Sequence, residues 1–419
     1  YRPLHEGPDE RGLLSRFVVG KGGGRRTKTP ACPERIYKKM NLVMMRNLIL
    51  FLLLGCIGCV SGKSCELRVF QLNIWGDATV VPGAFDALTD EIVRLDAHIV
   101  ALCEVNNHHG VTSERLVEAL KRRGQTWYGA SGRCTGVQGT DVCVLSKYPI
   151  KEVVTGLSTV PGGVDMKVRI DVGGRDVLLY PAHLDYTHYA CYLPRGYDGV
   201  TWKKLSAPDG NPEAVLRMNR ASTRDEAVAA FLEEVARERA DLILLAGDFN
   251  EPSHLDWTDA TCGMWDHNGC VVPWDCSVRL YDAGFRDVYR VLHPDPATHP
   301  GFTYPADNPA TAVEKLTWAP DADERDRIDF IYYLPGGVFV PKRVEVVGPS
   351  SSIVRSERVR EMGEDAFIEP LGVWPTDQKV TGLSPVGVTL KINHLQQCRW
   401  FFHFRPGKQF RNKFALISY

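Results

Sequence analysis

Between residues 63 and 393, short apolar segments alternate with segments of helical periodicity, and this alternation constrains the fold most strongly. The apolar segments are rich in Val, Ile, Leu and Tyr and are bounded by Gly, Pro or Asp, which predicts strands. They are CELRVFQLNIW, AHIVALCEV, DVCVLSKYPI, MKVRIDV, DVLLYPAHLD, DLILLAGDFN, RIDFIYYLP, KRVEVVG and VGVTLKI. Apolar stripes over residues 84–95, 113–123 and 219–239 predict helices, the second capped by Thr112. Elements mixed along one stretch indicate a single domain of two packed sheets covered by helices.

Polar side chains follow several of these strands at the point where each strand ends. Such groups are costly to bury unless something pairs with them. Several carboxylates gathered at one sheet edge would repel each other, so a hard cation is their natural partner. Mg²⁺ takes oxygen ligands and needs only one or two direct carboxylates. The residues concerned are Asn73, Glu104, His183, Asp185, Asp248, Asn250, Asp329 and Asp377.

Six motifs in chain order carry a resemblance to a known family. They are QLNIW, ALCEVN, PAHLDY, AGDFNEP, DRIDFIYY and PTDQ, and GDFN after an apolar strand is the most specific. Together they resemble the endonuclease/exonuclease/phosphatase superfamily over nearly all of residues 66–392. The resemblance implies an α/β (α+β) fold, a four-layer αββα sandwich of two packed mixed β-sheets. It also implies a phosphoric ester hydrolase that depends on Mg²⁺ or Mn²⁺.

The resemblance assigns a role to each motif position. It implies that Glu104 holds the catalytic metal. It also implies that Asn73 binds the ion, or orients Glu104 without contacting the ion itself. Asp248 would position or deprotonate the attacking water. Asn250 would hold the phosphate, and His183 would bond a phosphate oxygen or serve the leaving group.

The last two motifs carry the end of the family pattern. Asp329 resembles the carboxylate that orients the family's terminal histidine, and Asp377 resembles the acid near the metal that precedes it. Asp185 matches less closely and is an accessory residue. In this chain Gln378 stands where the family has histidine.

Gln378 bears directly on the expected activity. Histidine exchanges a proton near neutral pH, whereas glutamine forms hydrogen bonds but takes no proton. General acid–base assistance contributes about 10²- to 10⁴-fold, so its loss predicts a slow hydrolase with metal catalysis intact. Two further interpretations stay open: a binding protein for a phosphorylated ligand on the same fold, and an error or decayed end in the sequence.

Two inserts follow catalytic strands and should overhang the pocket. They are YTHYACYLPRGYDGVTWKK and SHLDWTDATCGMWDHNGCVVPWDC. Aromatic rings can stack on bases or sugars or enter a lipid interface, and basic residues can meet phosphate. We therefore predict Tyr192, Arg195 and Trp257 as substrate-binding residues. The alternative is that these rings pack on each other to hold the loops together.

Composition limits the substrate only in part. The net charge is −1 at pH 7, so no basic surplus indicates a nucleic-acid partner. The segment LNIWG resembles the sphingomyelinase branch, but no amphipathic or polybasic segment for membrane docking accompanies it. A sphingomyelinase-like enzyme, a nuclease and an enzyme of small phosphoesters all stay open. The sequence does not indicate an oligomeric state.

The two ends of the chain differ from the rest. Residues 1–43 contain KGGGRRTKTP and are predicted to be a disordered or untranslated leader. In residues 44–62, Arg46, an apolar run over 48–60 and Ser61-Gly62 predict a signal peptide that is cleaved on secretion. The run is too short for a membrane-spanning helix, so none is expected in the mature protein. Residues 394–419 are expected to be an unstructured or aberrant tail.

Cysteine usage agrees with export. Eight of the twelve cysteines lie within 63–393: Cys65, Cys103, Cys134, Cys143, Cys191, Cys262, Cys270 and Cys276. An even number in a secreted chain predicts disulfides. The expected pairs are Cys134 with Cys143 and one bridge among Cys262, Cys270 and Cys276. A zinc site is the less favoured alternative, because no CxxC spacing is present.

Overall fold

The computed structural model describes residues 65–133, 137–336, 339–348, 351–360 and 387–394. Its strands are β1 (Cys65–Asn73), β2 (Ile99–Cys103), β3 (Tyr128–Ser131), β4 (Val142–Ser146), β5 (Ile150–Thr155), β6 (Met166–Val172), β7 (Arg175–His183), β8 (Leu242–Asp248), β9 (Arg286–Asp287), β10 (Asp329–Tyr333), β11 (Phe339–Val347), β12 (Ser351–Val354), β13 (Glu357–Arg360) and β14 (Gly387–His394). Its helices are α1 (Ala84–Arg94), α2 (Thr112–Arg122), α3 (Pro212–Asn219), α4 (Arg224–Val235), α5 (Asp275–Asp282) and α6 (Val288–Leu292), besides a helical turn at Trp75–Ala78 and two short 3₁₀ turns.

The strands form two six-stranded sheets and one small hairpin. The first sheet has the order β11-β14-β1-β2-β4-β3, and the second has the order β5-β6-β7-β8-β10-β9. In each sheet one central pair is parallel, β1 with β2 and β7 with β8, and the neighbouring pairs are antiparallel. The hairpin consists of β12 and β13. Both large sheets are therefore mixed.

Three apolar layers hold the sheets and helices together. Between the two sheets, residues such as Leu67, Ile99, Val168, Leu179 and Leu244 are fully buried against one another. The outer face of the first sheet packs on residues of α1 and α2, and the outer face of the second packs on residues of α4 and α5. The alternation of inward and outward side chains along each strand produces this layering. The predicted four-layer αββα sandwich is confirmed.

Strand register places the polar strand ends at one edge of the sandwich. His183 lies opposite Asp248 in the β7–β8 ladder, and Asp248 lies opposite Asp329, the first residue of β10. In the other sheet Asn73 ends β1 beside Cys103, and Glu104 follows directly. Because parallel strands end at the same edge, side chains from distant parts of the sequence converge there.

The helix predicted over 219–239 is present as α4 but is shorter, since α4 spans Arg224–Val235. A separate helix, α3, ends at Asn219, and residues 220–223 between the two are not helical. The Ser222 hydroxyl donates to the Asn219 carbonyl, and the Arg224 guanidinium donates to the Asn219 side chain. These contacts replace helical hydrogen bonds at the break. Thr112 also differs from the prediction: it lies inside α2, and its hydroxyl donates to the buried Asp77 carboxylate.

The disulfide predicted among Cys262, Cys270 and Cys276 is not formed in the structure, where all three are free thiols. Cys270 and Cys276 are buried in different apolar clusters, and Cys262 donates to the Asp259 carbonyl at the surface. Cys134 lies outside the described residues, so its pairing with Cys143 stays a prediction.

No helix in the described ranges is long and apolar enough to cross a membrane. Residues 1–43, 44–62 and 395–419 lie outside those ranges, and their assignments as leader, signal peptide and tail stay predictions.

Candidate active site

Asn73 joins carboxylates that come from the two different sheets. Its Nδ2 atom donates to Glu104 Oε1 at 2.9 Å and to Asp248 Oδ2 at 3.0 Å. The Trp75 amide donates to Asn73 Oδ1 at 3.0 Å, which sets the direction of the side-chain amide. The Gly76 amide donates to Glu104 Oε2 at 2.9 Å. Because its nitrogen donates to both carboxylates, Asn73 holds the two side chains in a fixed relation. Its predicted role at a metal ion stays a prediction.

Two site residues occupy left-handed backbone conformations where strands end. Glu104 has φ of 61° and Asn250 has φ of 50°. This conformation is uncommon outside glycine, although asparagine tolerates it better than most residues. The Asn250 amide donates to Asp248 Oδ1 at 2.8 Å, and its Nδ2 atom donates to the Leu184 carbonyl at 3.0 Å. The turn after β8 therefore fixes the Asp248 carboxylate.

His183 is buried and paired with a carboxylate that the strand-end pattern did not reveal. Its Nδ1 atom lies 2.8 Å from Asp141 Oδ2. Burial lowers the pKa of His183, but the hydrogen bond and charge of Asp141, with the charges of Asp248 and Glu104, outweigh burial and raise the pKa to about 9. Asp141 comes directly before β4, so it is a polar strand-start residue and not a strand-end residue.

Asp248 and Asp329 are buried carboxylates on neighbouring strands. Burial raises the pKa of both, and the negative charge of Asp248 raises that of Asp329 further. Gln71 Nε2 donates to Asp329 Oδ1 at 3.0 Å, and the Asp329 amide donates to the Thr303 hydroxyl at 3.1 Å. Gln71 was not predicted, because a polar residue inside an apolar strand gave no sign of its partner.

A cavity of about 320 Å³ lies beside these groups. Its polar lining residues are Asn73, Glu104, Asp248, Asn250, Asp329 and Lys315, and His183 is not among the lining residues. Its aromatic lining residues are Trp75, Tyr186, Tyr189, Tyr192, Trp202, Tyr304 and Trp318. The cavity can therefore hold a polar reacting group together with an organic substituent.

The three predicted substrate-binding residues separate into two groups. Tyr192 lines the cavity. Arg195 does not, because its buried side chain forms an ion pair with Asp326. Trp257 is 1% exposed, stacks on His267 with ring centroids 3.7 Å apart, and donates to Asp326 Oδ1 at 3.0 Å. The structure corrects the prediction for Arg195 and Trp257, since neither side chain reaches the cavity wall and both brace the loops behind it.

The remaining predicted positions have different outcomes. Asp185 accepts from the amides of Thr187 and Thr223, at 2.9 and 3.0 Å, so it holds a loop together beside the site. Asp377 and Gln378 lie outside the described residues, and their roles stay predictions.

The carboxylates that line the cavity are Glu104, Asp248 and Asp329. A divalent ion that prefers oxygen ligands needs only one or two direct carboxylates, and these residues could supply them. No group of three or more His, Cys, Asp or Glu within the described residues is arranged as a metal cage. Glu104 is the carboxylate best placed to hold the ion, because it is half-buried, borders the cavity and is oriented by Asn73 and Gly76.

Comparison with known sequences gives the family. A family model described as the endonuclease/exonuclease/phosphatase family matches residues 70–377. An uncharacterized protein of Caenorhabditis elegans is 26% identical over 303 residues, covering 71% of this chain and 88% of that protein. Sphingomyelin phosphodiesterase 2 of Homo sapiens is 27% identical over 238 residues, covering 51% of this chain and 52% of that enzyme. The chain thus spans about half the length of that enzyme.

Solved structures of low sequence identity also align. An endonuclease/exonuclease/phosphatase family protein from Leptotrichia buccalis is 15% identical, with 78% of this chain and 99% of that chain covered and a TM-score of 0.42. An AP endonuclease from Archaeoglobus fulgidus is 13% identical, with 77% and 98% covered and a TM-score of 0.43. The family model spans more than half of the chain, and the chain therefore belongs to the endonuclease/exonuclease/phosphatase family.

Proposed function

We propose that this protein is a phosphoester hydrolase that depends on Mg²⁺ or Mn²⁺ and acts on a phosphodiester. The observation that carries the proposal is the contact of Asn73 with both Glu104 and Asp248, all three of which line the cavity. The family consists of hydrolases of phosphoester bonds, and one relative is named as a phosphodiesterase. Secretion remains part of the proposal and rests on the apolar run over residues 48–60.

Glu104 would hold the ion, with Asp377 as the predicted second acid. When bound, the ion polarises a phosphoryl oxygen and stabilises charge on the leaving oxygen. Asp248 would orient the attacking water and accept its proton, and the contacts of its carboxylate with Asn250 and Asn73 support this role. His183, kept protonated by Asp141, lies next to Asp248 in the sheet and can donate toward the phosphate.

The decisive experiment measures hydrolysis of bis-p-nitrophenyl phosphate by the full chain, with Mg²⁺, with Mn²⁺ and with a chelator. We expect activity that the chelator removes and that Asp248→Asn abolishes. Asp282→Asn is the matched control, because Asp282 is exposed on α5, and it should leave the rate unchanged. Metal-dependent activity that survives Asp248→Asn would contradict the assignment.

Gln378→His tests the terminal motif. Restoring a group that exchanges a proton should raise the rate by about 10²- to 10⁴-fold if the fold presents this residue to the site. A binding protein on the same fold predicts otherwise: no turnover in either protein, yet saturable binding of a phosphorylated ligand. That combination would replace the hydrolase proposal.

A further inference from the structure

The backbone turns left-handed shortly after β1 ends. Trp75, Gly76, Asp77 and Ala78 have φ values of 44°, 63°, 59° and 54°, so four consecutive residues occupy the left-handed region. This conformation is unfavourable for residues other than glycine, and they normally adopt it singly rather than in a run. Such strain persists only where the surrounding structure holds it in place, and it is concentrated at functional sites. We call residues 75–78 the left-handed turn.

The backbone N–H groups of the left-handed turn point at two residues of the site. The Trp75 amide donates to Asn73 Oδ1, and the Gly76 amide donates to Glu104 Oε2. The Asp77 amide donates to the Glu104 backbone carbonyl at 2.9 Å. Successive N–H groups in such a turn form a concave surface that binds anions, and here the anion is the Glu104 carboxylate. The turn therefore fixes both the backbone of Glu104 and the direction of its side chain.

The Asp77 carboxylate holds the left-handed turn against the loop that follows Glu104. Asp77 is 1% exposed. It accepts from the backbone amides of residues 106–108, at 2.8, 3.1 and 3.0 Å, and from the Thr112 hydroxyl at 2.8 Å. An ionised carboxylate offers about four acceptor sites, so these four contacts use its whole capacity. One buried charge thus connects the end of β1 to the segment that leaves β2.

We propose that Asp77 is a positioning residue that sets the metal affinity of the site by orienting Glu104. The inference rests on the proposed function, because it names a determinant of metal binding at that same site. Asp77 does not line the cavity, so it acts through the Gly76 amide and through the loop after Glu104. Residues that support a metal ligand in this way typically change metal affinity by about 10- to 100-fold when they are replaced.

The competing explanation is that Asp77 only stabilises the fold. Loss of stability reduces the amount of folded protein and therefore the maximal rate, but it leaves the Mg²⁺ concentration for half-maximal rate unchanged. Misorientation of Glu104 raises that concentration instead, and excess Mg²⁺ restores the rate. The dependence of the rate on Mg²⁺ concentration therefore distinguishes the two explanations.

The first test titrates Mg²⁺ against the full chain and its Asp77→Asn variant, with bis-p-nitrophenyl phosphate as substrate. Asparagine can keep the oxygen that faces Thr112, but it places an NH₂ group against the His108 amide. We expect the half-saturating Mg²⁺ concentration to rise by about tenfold, with kcat at saturating Mg²⁺ little changed. An unchanged half-saturating concentration in the folded variant would overturn the inference.

Two further variants make this test specific. Thr112→Val removes one donor to Asp77 and keeps the shape of the side chain, so it should raise the half-saturating concentration to a smaller extent. Asp287→Asn is the matched control, because Asp287 is 3% exposed, accepts from the Tyr289 amide and does not line the cavity. It should lower the melting temperature without changing the Mg²⁺ dependence, and an equal shift in this control would contradict the positioning role. If circular dichroism shows that Asp77→Asn does not fold, Thr112→Val decides the matter in either direction.

A binding measurement without turnover separates this inference from the proposed function. Electron paramagnetic resonance measures free Mn²⁺ during titration of the full chain in the absence of substrate. We expect Glu104→Gln and Asp77→Asn each to weaken Mn²⁺ binding by at least about tenfold.

The outcomes of this measurement are distinct. Weaker binding in both variants supports the positioning role even if no ester is hydrolysed, in which case only the hydrolase proposal fails. Binding that Glu104→Gln weakens and Asp77→Asn does not would overturn the positioning role alone. Binding that Glu104→Gln leaves unchanged would overturn the metal role of Glu104 and this inference with it.

Discussion

At the scale of single residues, His183 and Asp141 form a pair whose protonation can be tested. The hydrogen bond to Asp141 outweighs burial and raises the pKa of His183 to about 9, above the ordinary 6.5. Below pH 6.5 the pair therefore stabilises the fold fully, and this contribution is lost as pH rises through about 9. The proton that His183 would donate to the phosphate is present over the same pH range.

Asp141→Asn should move the alkaline limb of the kcat/KM profile to lower pH. Asparagine cannot supply the negative charge that holds the proton on His183. Profiles of both proteins on bis-p-nitrophenyl phosphate, at the same saturating Mg²⁺ concentration, measure the difference. Coincident alkaline limbs in the two profiles would show that His183 does not control the limb.

The pKa of His267 is shifted in the opposite direction to that of His183, since it is lowered. It is buried between Trp257 and Trp265, stacked on the first ring and edge-on to the second. Burial and the nearby Arg195 charge lower its pKa to about 2. The unfolded chain takes up a proton below pH 6.5 that the folded chain does not. Stability should therefore fall as pH decreases from 6.5 toward 2.

His267→Phe should flatten this dependence. The wild-type fold loses up to about 1.4 kcal/mol per pH unit through this residue, and phenylalanine keeps the ring while removing the proton site. Urea unfolding at pH 7 and pH 5 measures the change. His109→Phe, at an exposed histidine, should leave the dependence as it is. An unchanged slope in His267→Phe would contradict the buried neutral state.

At the scale of elements, the break between α3 and α4 is held by one buried guanidinium. Arg224 donates to the carbonyls of Asp185, Thr187 and His188 at 2.6, 2.8 and 3.0 Å, and its Nε atom lies 3.5 Å from Glu251. These carbonyls belong to the loop that follows β7 and His183. The helix break therefore anchors a loop beside the site.

Arg224→Met should lower the free energy of unfolding by about 3–5 kcal/mol, because it leaves the buried Glu251 carboxylate without its cation. Arg220→Met is the matched control on the same segment. Arg220 pairs with Asp275 but is 53% exposed, so its loss should cost less than about 1 kcal/mol. Chemical denaturation measures both. Equal losses in the two variants would show that burial of Arg224 is not the cause.

The elements also show what the sequence could and could not predict. Apolar strands bounded by turn residues were visible, and so were the polar groups that follow them, because both patterns are local. The non-helical segment at 220–223 was not, because its cause is a tertiary contact of Arg224. Gln71 and Asp141 were missed for the same reason: each contacts a partner distant in sequence. Of the two aromatic residues predicted to bind substrate, Tyr192 lines the cavity, whereas Trp257 packs inward on His267.

At the scale of the whole molecule, the two sheets share one apolar layer. Leu179 lies in it and is fully buried. Leu179→Ala should lower the free energy of unfolding by about 2–5 kcal/mol through lost burial and the cavity left behind. Val153→Ala, at a position 44% exposed, should change it by less than about 0.5 kcal/mol.

Far-ultraviolet circular dichroism and tryptophan fluorescence should report a single coincident transition in both variants, because one layer serves both sheets. Separate transitions in the Leu179→Ala protein would mean that the sheets fold independently.

The hydrogen bond from Asn73 to Asp248 links residues of the two sheets, so the site depends on how the sheets are aligned. Asn73 and Glu104 belong to the first sheet, and His183, Asp248 and Asp329 belong to the second. A small shift of one sheet relative to the other would separate these groups while every strand stayed intact. On heating, catalytic activity should therefore be lost at a lower temperature than the one at which the protein unfolds. Substitutions in the apolar layer between the two sheets should lower turnover although they do not contact the cavity.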